Sequence, residues 1–151
     1  MNMRLENLRE EKELLGKEMA NYLGVVESVY SEWENEKLTI PTKRLIELAN
    51  FFEINIDYML GLSNNRKKMK AKEIDYNKVS LNLKQIRKEL KMSMRDLAKK
   101  LNTTSSAISN YENNKFLILG SFLIELSKSY NYSIDWILGR SNEKFINKKT
   151  I

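Results

Sequence analysis

The sequence predicts an all-α protein built of two tandem domains, each of five short helices. Three observations carry this. The 151 residues hold only one proline and five glycines, while Leu, Ile, Lys, Glu and Asn dominate; such a chain is rich in helix formers and poor in turn residues. Apolar residues recur at helical spacing, as at Leu83, Ile86 and Leu90. The chain also repeats itself. A shift of 78 residues aligns Leu5–Asn64 with Leu83–Asn142 without a gap. Roughly a third of the positions are identical, the mark of a duplicated unit.

The matched pairs include Arg9/Arg87, Ala20/Ala98, Ser28/Ser106, Ser31/Ser109, Glu34/Glu112, Asn35/Asn113, Lys37/Lys115, Asp57/Asp135 and Gly61/Gly139. The predicted boundaries are a first domain over 1–64, a basic linker over 65–79, a second domain over 80–142 and a frayed tail over 143–151.

In the second copy, Ser80 is placed to cap a first helix with Leu83, Ile86 and Leu90 on its apolar face. Ser93-Met94-Arg95-Asp96 is a capping-box-like start to a second helix carrying Leu97, Ala98 and Leu101. Asn102-Thr103-Thr104 turns the chain, and Thr104 caps a third helix over Ser105–Glu112. A fourth helix follows over Gly120–Tyr130, then a last turn over Ile134–Leu138 that stops at Gly139. The first copy follows the same plan with weaker caps, because Leu15 and Val26 replace Ser93 and Thr104.

Composition excludes several classes. There is no cysteine and no histidine, which removes disulfides, thiolate chemistry, Cys/His metal sites and imidazole catalysis. With no glycine-rich phosphate loop and no recognisable carboxylate pair, no enzyme activity and no cofactor are expected. Met1–Leu14 is too highly charged for a secretory signal, and no apolar run approaches a bilayer span. A cytoplasmic location without membrane attachment is expected.

Charge is uneven. Residues 1–64 hold 7 Lys/Arg against 12 Asp/Glu, net −5, and residues 65–151 hold 19 against 8, net +11. A field of the second kind suits a polyanion.

The stretch Met92–Asn114 (MSMRDLAKKLNTTSSAISNYENN) resembles the helix-turn-helix of the Cro/phage-repressor (XRE-type) family, as does Leu14–Glu36. Ser133-Ile-Asp-Trp-Ile-Leu-Gly139 and Asn55-Ile-Asp-Tyr-Met-Leu-Gly61 are similar to that family's last helix. The resemblance covers roughly residues 3–64 and 81–142. It implies two tandem lambda-repressor-like helix-turn-helix domains. It also implies sequence-specific binding of double-stranded DNA as a transcriptional regulator, here expected as a repressor and a homodimer.

By that resemblance the helix over 105–112 enters the major groove, with Ser105, Ser106, Ser109 and Asn110 facing base edges. The backbone-contacting candidates are Arg95, Lys99, Thr104, Asn113 and Lys115, with the amides near Ser93–Arg95. Met94 stands where the family often has Gln, so no phosphate contact is carried over there. Arg9 with Glu34, and Arg87 with Glu112, match family positions that form a structural ion pair.

The small residues Ala20 and Ala98 suit the close approach of the second and third helices, with Ile108 and Val29/Tyr30 packing inward. Trp33, Tyr58, Tyr111 and Trp136 are read as core or interface residues rather than base-stacking platforms. Arg66, Lys67, Lys68, Lys70 and Lys72 are read as a flexible solvated tether, with a phosphate-tracking or minor-groove role as the alternative.

At the recognition positions the first copy has Glu27, Ser28, Ser31 and Glu32, with Glu18 and Glu36 close by. Carboxylates there repel phosphates. Residues 1–64 are therefore expected to serve interaction or dimerisation, with a possible protein partner. The competing class for the whole chain is a protein-interaction module, such as an antitoxin or anti-repressor, that uses this fold without reading DNA.

Overall fold

Five helices recur in the same order in each copy. In the computed structural model, which describes residues 1–146, the first copy holds α1 (Leu5–Glu11), α2 (Gly16–Leu23), α3 (Glu27–Glu34), α4 (Thr42–Phe52) and α5 (Ile56–Met59). The second holds α6 (Tyr76–Glu89), α7 (Met94–Lys100), α8 (Ser105–Glu112), α9 (Gly120–Tyr130) and α10 (Ile134–Ile137). The fold is all-α, and outside the helices the described residues form only two isolated β-bridges. The copies belong to separate units, Met1–Lys72 and Glu73–Phe145.

Each core is assembled from the apolar columns of its helices. Leu5, Met19, Leu45, Leu48, Ile56 and Met59 are buried in the first unit; Leu83, Leu97, Leu123, Leu126, Ile134 and Ile137 fill the aligned places in the second. Trp33, Tyr111 and Trp136 are buried as well. Tyr58 is half-buried, with the Arg4 guanidinium 4.0 Å above its ring.

The start of the first helix is tied to the last helix in both units, by different residues at the aligned position. Arg4 donates to the Tyr58 carbonyl at 2.7 Å. Asn82 donates to the Trp136 carbonyl at 2.9 Å. The chain then leaves the last helix through Gly61 and Gly139, both at φ +76. A Cβ on Gly61 would also lie 2.0 Å from the Asn2 carbonyl oxygen, so only glycine fits there.

Three sequence expectations need correction. First, Ser80 does not cap α6. The cap is Asp75, whose carboxylate accepts from the Lys78 amide at 3.1 Å. Ser80 sits inside the helix, and its hydroxyl donates to the Tyr111 carbonyl at 2.8 Å. The helix therefore extends into the segment read as linker.

Second, much of the basic tether is docked. The Asn55 amide donates to the Lys67 carbonyl at 3.1 Å, and the Met69 amide donates to the Glu53 carbonyl at 3.0 Å. The Asn55 and Asn50 side chains also bond the strap's backbone, at Asn65, Lys67 and Lys72. Arg66 grips Glu11 through two bonds of 2.9 and 2.8 Å. These bonds, donated by Arg66 to the Glu11 carboxylate, raise the Arg66 pKa above its ordinary value and lower that of Glu11. With these residues included, Met1–Lys72 holds 12 Lys/Arg against 12 Asp/Glu and is neutral, while Glu73–Phe145 holds 12 against 8 and is +4. The asymmetry of charge persists but is smaller than a division at residue 64 suggests.

Third, the start of the supposed frayed tail is a second strap. Tyr132 bridges Phe145, and the Ser133 amide donates to the Lys144 carbonyl at 2.8 Å. The Lys144 ammonium, the Gln85 amide and the Tyr132 hydroxyl all donate to Glu89, at 2.6, 2.9 and 2.7 Å. The rest of that tail, 147–151, lies outside the described residues.

Two predictions follow from these contacts. The Ser127 hydroxyl is fully buried without a hydrogen-bond partner among the described residues, and Ala49 stands at the aligned place in the first copy. Ser127→Ala should raise stability by about 1 kcal/mol in chemical denaturation, since it removes an unsatisfied polar group and improves helix propensity. Glu89 titrates at about 2 instead of its ordinary 4.5, held down first by Lys144, then by Gln85 and Tyr132. A depressed folded pKa contributes stability that is complete above 4.5 and lost as pH falls through about 2. The NMR shift of the Ser133 amide should hold from pH 7 to pH 5 and move toward its unfolded value on acidification below pH 4. Glu89→Gln should remove that dependence.

Candidate nucleic-acid interface

Helices α7 and α8 are started by their own side chains. The Ser93 hydroxyl accepts from the Asp96 amide, and Asp96 accepts in return from the Ser93 amide, both at 3.0 Å. These bonds, the Ser93 amide foremost, keep the Asp96 carboxyl below its ordinary pKa. Thr104 accepts from the Ala107 amide at 3.1 Å and so fixes the first turn of α8. Between the two helices Asn102 takes the left-handed conformation, φ +57, where the first copy has Gly24 at +69. Asn is among the few side chains that adopt it readily.

Ile108 and Tyr111 anchor α8 in the core. Its other side presents Ser105 and Ser106, both exposed, with Ser109 and Asn110 half-buried behind them. All four side chains are uncharged and able to donate and accept hydrogen bonds. Arg95, Lys99 and Lys115 are exposed around this helix pair. Asn113 turns back, its amide donating to the Ser109 carbonyl at 2.9 Å and hydroxyl at 3.1 Å. Of the rim candidates, Thr104 and Asn113 are thus engaged within α8, whereas the three cations point to solvent.

Behind the helix lies Arg87. Its guanidinium donates twice to Glu112, at 2.6 and 3.0 Å, and once to the Met92 carbonyl in the loop before α7, at 3.0 Å. The first copy repeats this with Arg9, Glu34 and Leu14, at 2.7, 3.1 and 2.8 Å. Hydrogen bonding to the glutamate raises the pKa of each arginine against the opposing effect of burial. One side chain therefore ties the first helix, the following loop and the third helix together.

The face of α3 differs from that of α8. Glu27, Ser28 and Ser31 are exposed and Glu32 is half-buried. Leu15 and Val26, at the cap positions, are 65% and 67% exposed, so apolar side chains occupy the places where Ser93 and Thr104 bond to amides.

Some interactions at this site were not found from the sequence. The Asn114 amide donates to Asn77 at 3.1 Å, and Ser80 reaches the last turn of α8. Asp75, three residues before Lys78 and four before the apolar Val79, was the available signal of an earlier helix start.

A helix pair joined by a tight turn, with an alanine buried in its first helix and an arginine bracing it from behind, defines a helix-turn-helix domain, here present twice. A family model described as Helix-turn-helix matches residues 5–59 and 83–137, and the chain belongs to that family, of the XRE type. It is 32% identical over 62 residues to YobD of Bacillus subtilis (strain 168), an uncharacterized HTH-type transcriptional regulator. That match covers 41% of this chain and 55% of the relative, so the chain aligns with about half the length of that protein. No solved structure matches. Among the described residues, no helix is long and apolar enough to cross a membrane.

Removing the guanidinium in Arg87→Ala would strand the Glu112 carboxylate, which is 7% exposed. The expected cost is about 3 kcal/mol, with Arg87→Lys in between because it keeps the charge but loses the fork. Unfolding followed by Trp136 fluorescence in a Trp33→Phe background checks this.

Proposed function

We propose that the chain is a cytoplasmic transcriptional regulator, acting as a repressor, that binds specific double-stranded DNA as a homodimer. Helix α8 enters the major groove. Ser105, Ser106 and Asn110 meet base edges, Asn110 being suited to adenine. Ser109, oriented by Asn113, joins them. Arg95, Lys99 and Lys115 meet phosphates on either side, with Thr104 at the helix start. The observation that carries this reading is the exposed, uncharged, hydrogen-bonding face of α8 with solvent-facing cations around it.

The first unit is assigned to interaction or dimerisation and to a possible protein partner. Its overall charge is balanced, but Glu27 and Glu32 occupy the places of Ser105 and Asn110. A carboxylate about 4 Å from a phosphate is repelled by about 1 kcal/mol even in water. The exposed Leu15 and Val26 favour a second reading of the chain as a protein-interaction module, an antitoxin or anti-repressor.

Selection of bound duplexes from a random pool should return a motif with two-fold symmetric half-sites. On that duplex, Arg95→Ala/Lys99→Ala/Lys115→Ala should flatten the slope of log affinity against log salt by about 0.9 per phosphate contact removed. Asn110→Ala should weaken the selected duplex and leave the slope unchanged. Absence of salt-dependent duplex binding by the intact chain would favour the second reading.

A further inference from the structure

Helix α6 begins about two turns earlier than α1 does in the aligned frame. This extension, Tyr76–Asn82, is not a free helical end. Val79, Ser80 and Asn82 are buried, and two of its polar side chains engage the far end of α8. The Ser80 hydroxyl donates to the Tyr111 carbonyl in the last turn of α8, which also accepts from the Asn114 backbone amide. The Asn77 side-chain oxygen accepts from the Asn114 side-chain amide, just beyond the helix. Asn82 anchors the same extension to α10 through the Trp136 carbonyl.

We propose that Ser80 and Asn77 are positioning residues for base recognition: they stop α8 from rolling about its axis and so fix the register of Ser105, Ser106 and Asn110 in the groove. The proposal rests on the DNA-reading role assigned to α8.

The geometry gives the reason. Thr104 holds only the first turn, and the Arg87–Glu112 fork grips the helix from one side. Side-chain tips lie about 5–6 Å from a helix axis, so a roll of about 10° carries them roughly 1 Å. Hydrogen bonds span only about 0.5 Å of useful distance. A helix that reads bases therefore needs attachment at both ends and from more than one direction, which Ser80 and Asn77 supply. In the first copy Met1–Arg4, aligned with Val79–Asn82, are not helical. Asn2 stands where Ser80 does, its carbonyl against Gly61, and the Met1 amino group contacts Glu36 at 3.7 Å. The side chains involved at Asn77, Ser80 and Asn114 are uncharged, so their effect is separable from phosphate neutralisation.

The test uses the full chain, with the duplex selected from a random pool and a scrambled duplex of equal length. Asn77→Ala and Ser80→Ala should each weaken the selected duplex roughly fivefold, leaving the scrambled duplex and the salt slope unchanged. Asn77→Asp keeps an acceptor for Asn114; it should lower affinity for both duplexes alike and preserve their ratio. Trp136 fluorescence in the Trp33→Phe background reports whether each variant is folded at the binding temperature. A preserved ratio in folded Asn77→Ala overturns the proposal, as does an equal loss on both duplexes in folded Ser80→Ala. If the wild-type chain shows no salt-dependent duplex binding, the DNA-reading role itself fails. If it binds and the ratio is insensitive, only the positioning role fails.

Discussion

One interaction orders each helix-turn-helix: a half-buried arginine that directs its planar fork to a glutamate and its remaining nitrogen to a loop carbonyl. Such short helices have little stability of their own, since the first hydrogen-bonded turn is costly to form and helices under about a dozen residues are marginal. Their relative placement must come from contacts between them. Apolar packing supplies most of the free energy but is tolerant of small sliding motions. The Arg87–Glu112 and Arg9–Glu34 pairs are directional and half-buried, so they define a distance and an angle as well as an attraction. The geometry of the helix pair depends on them.

On that shared frame the two units carry different surfaces. In the second, capping serine and threonine satisfy helix-end amides. In the first, Leu15 and Val26 leave that work to others: at α2 the Glu18 carboxylate accepts from the Leu15 amide at 2.8 Å, half of the reciprocal arrangement seen at Ser93. The outer faces of the third helices diverge in the same sense, from neutral hydrogen-bonding residues on α8 to a mixture with glutamates on α3. The buried columns are largely apolar in both units, while outward positions such as Glu27/Ser105 and Glu32/Asn110 change in charge, as expected when one fold serves two surfaces.

Much of this was legible in the sequence because it follows from local rules. Helical spacing of apolar residues, Ser93 and Thr104 as caps, and Gly61 and Gly139 as stops each depend on a few neighbouring positions. The 78-residue repeat did the rest, because the apolar spacing, the arginine–glutamate pair and the closing glycine could each be read twice. What was missed depends on partners distant in sequence. Asn50 and Asn55 imitate backbone groups for a strap that carries no strand-like alternation. The lysine-rich stretch 65–72 has the composition of a solvated tether, and composition does not report where its backbone amides are satisfied. Ser80 suggested a cap because serine favours that place, yet the helix continued past it with Asp75 doing the capping.

The straps bear on where each unit ends. Their sequences share little, NRKKM in one copy and EKFI in the other, yet each returns to the residues just before the last helix and pairs there. Each unit therefore closes with a clasp of its own beyond the five helices, one residue apart in register. A severed fragment ending at residue 64 would lose the main-chain partners of Asn50 and Asn55 and open the Arg66–Glu11 clamp. For this architecture the natural seam between modules lies where hydrogen bonding closes, some way past the last helix.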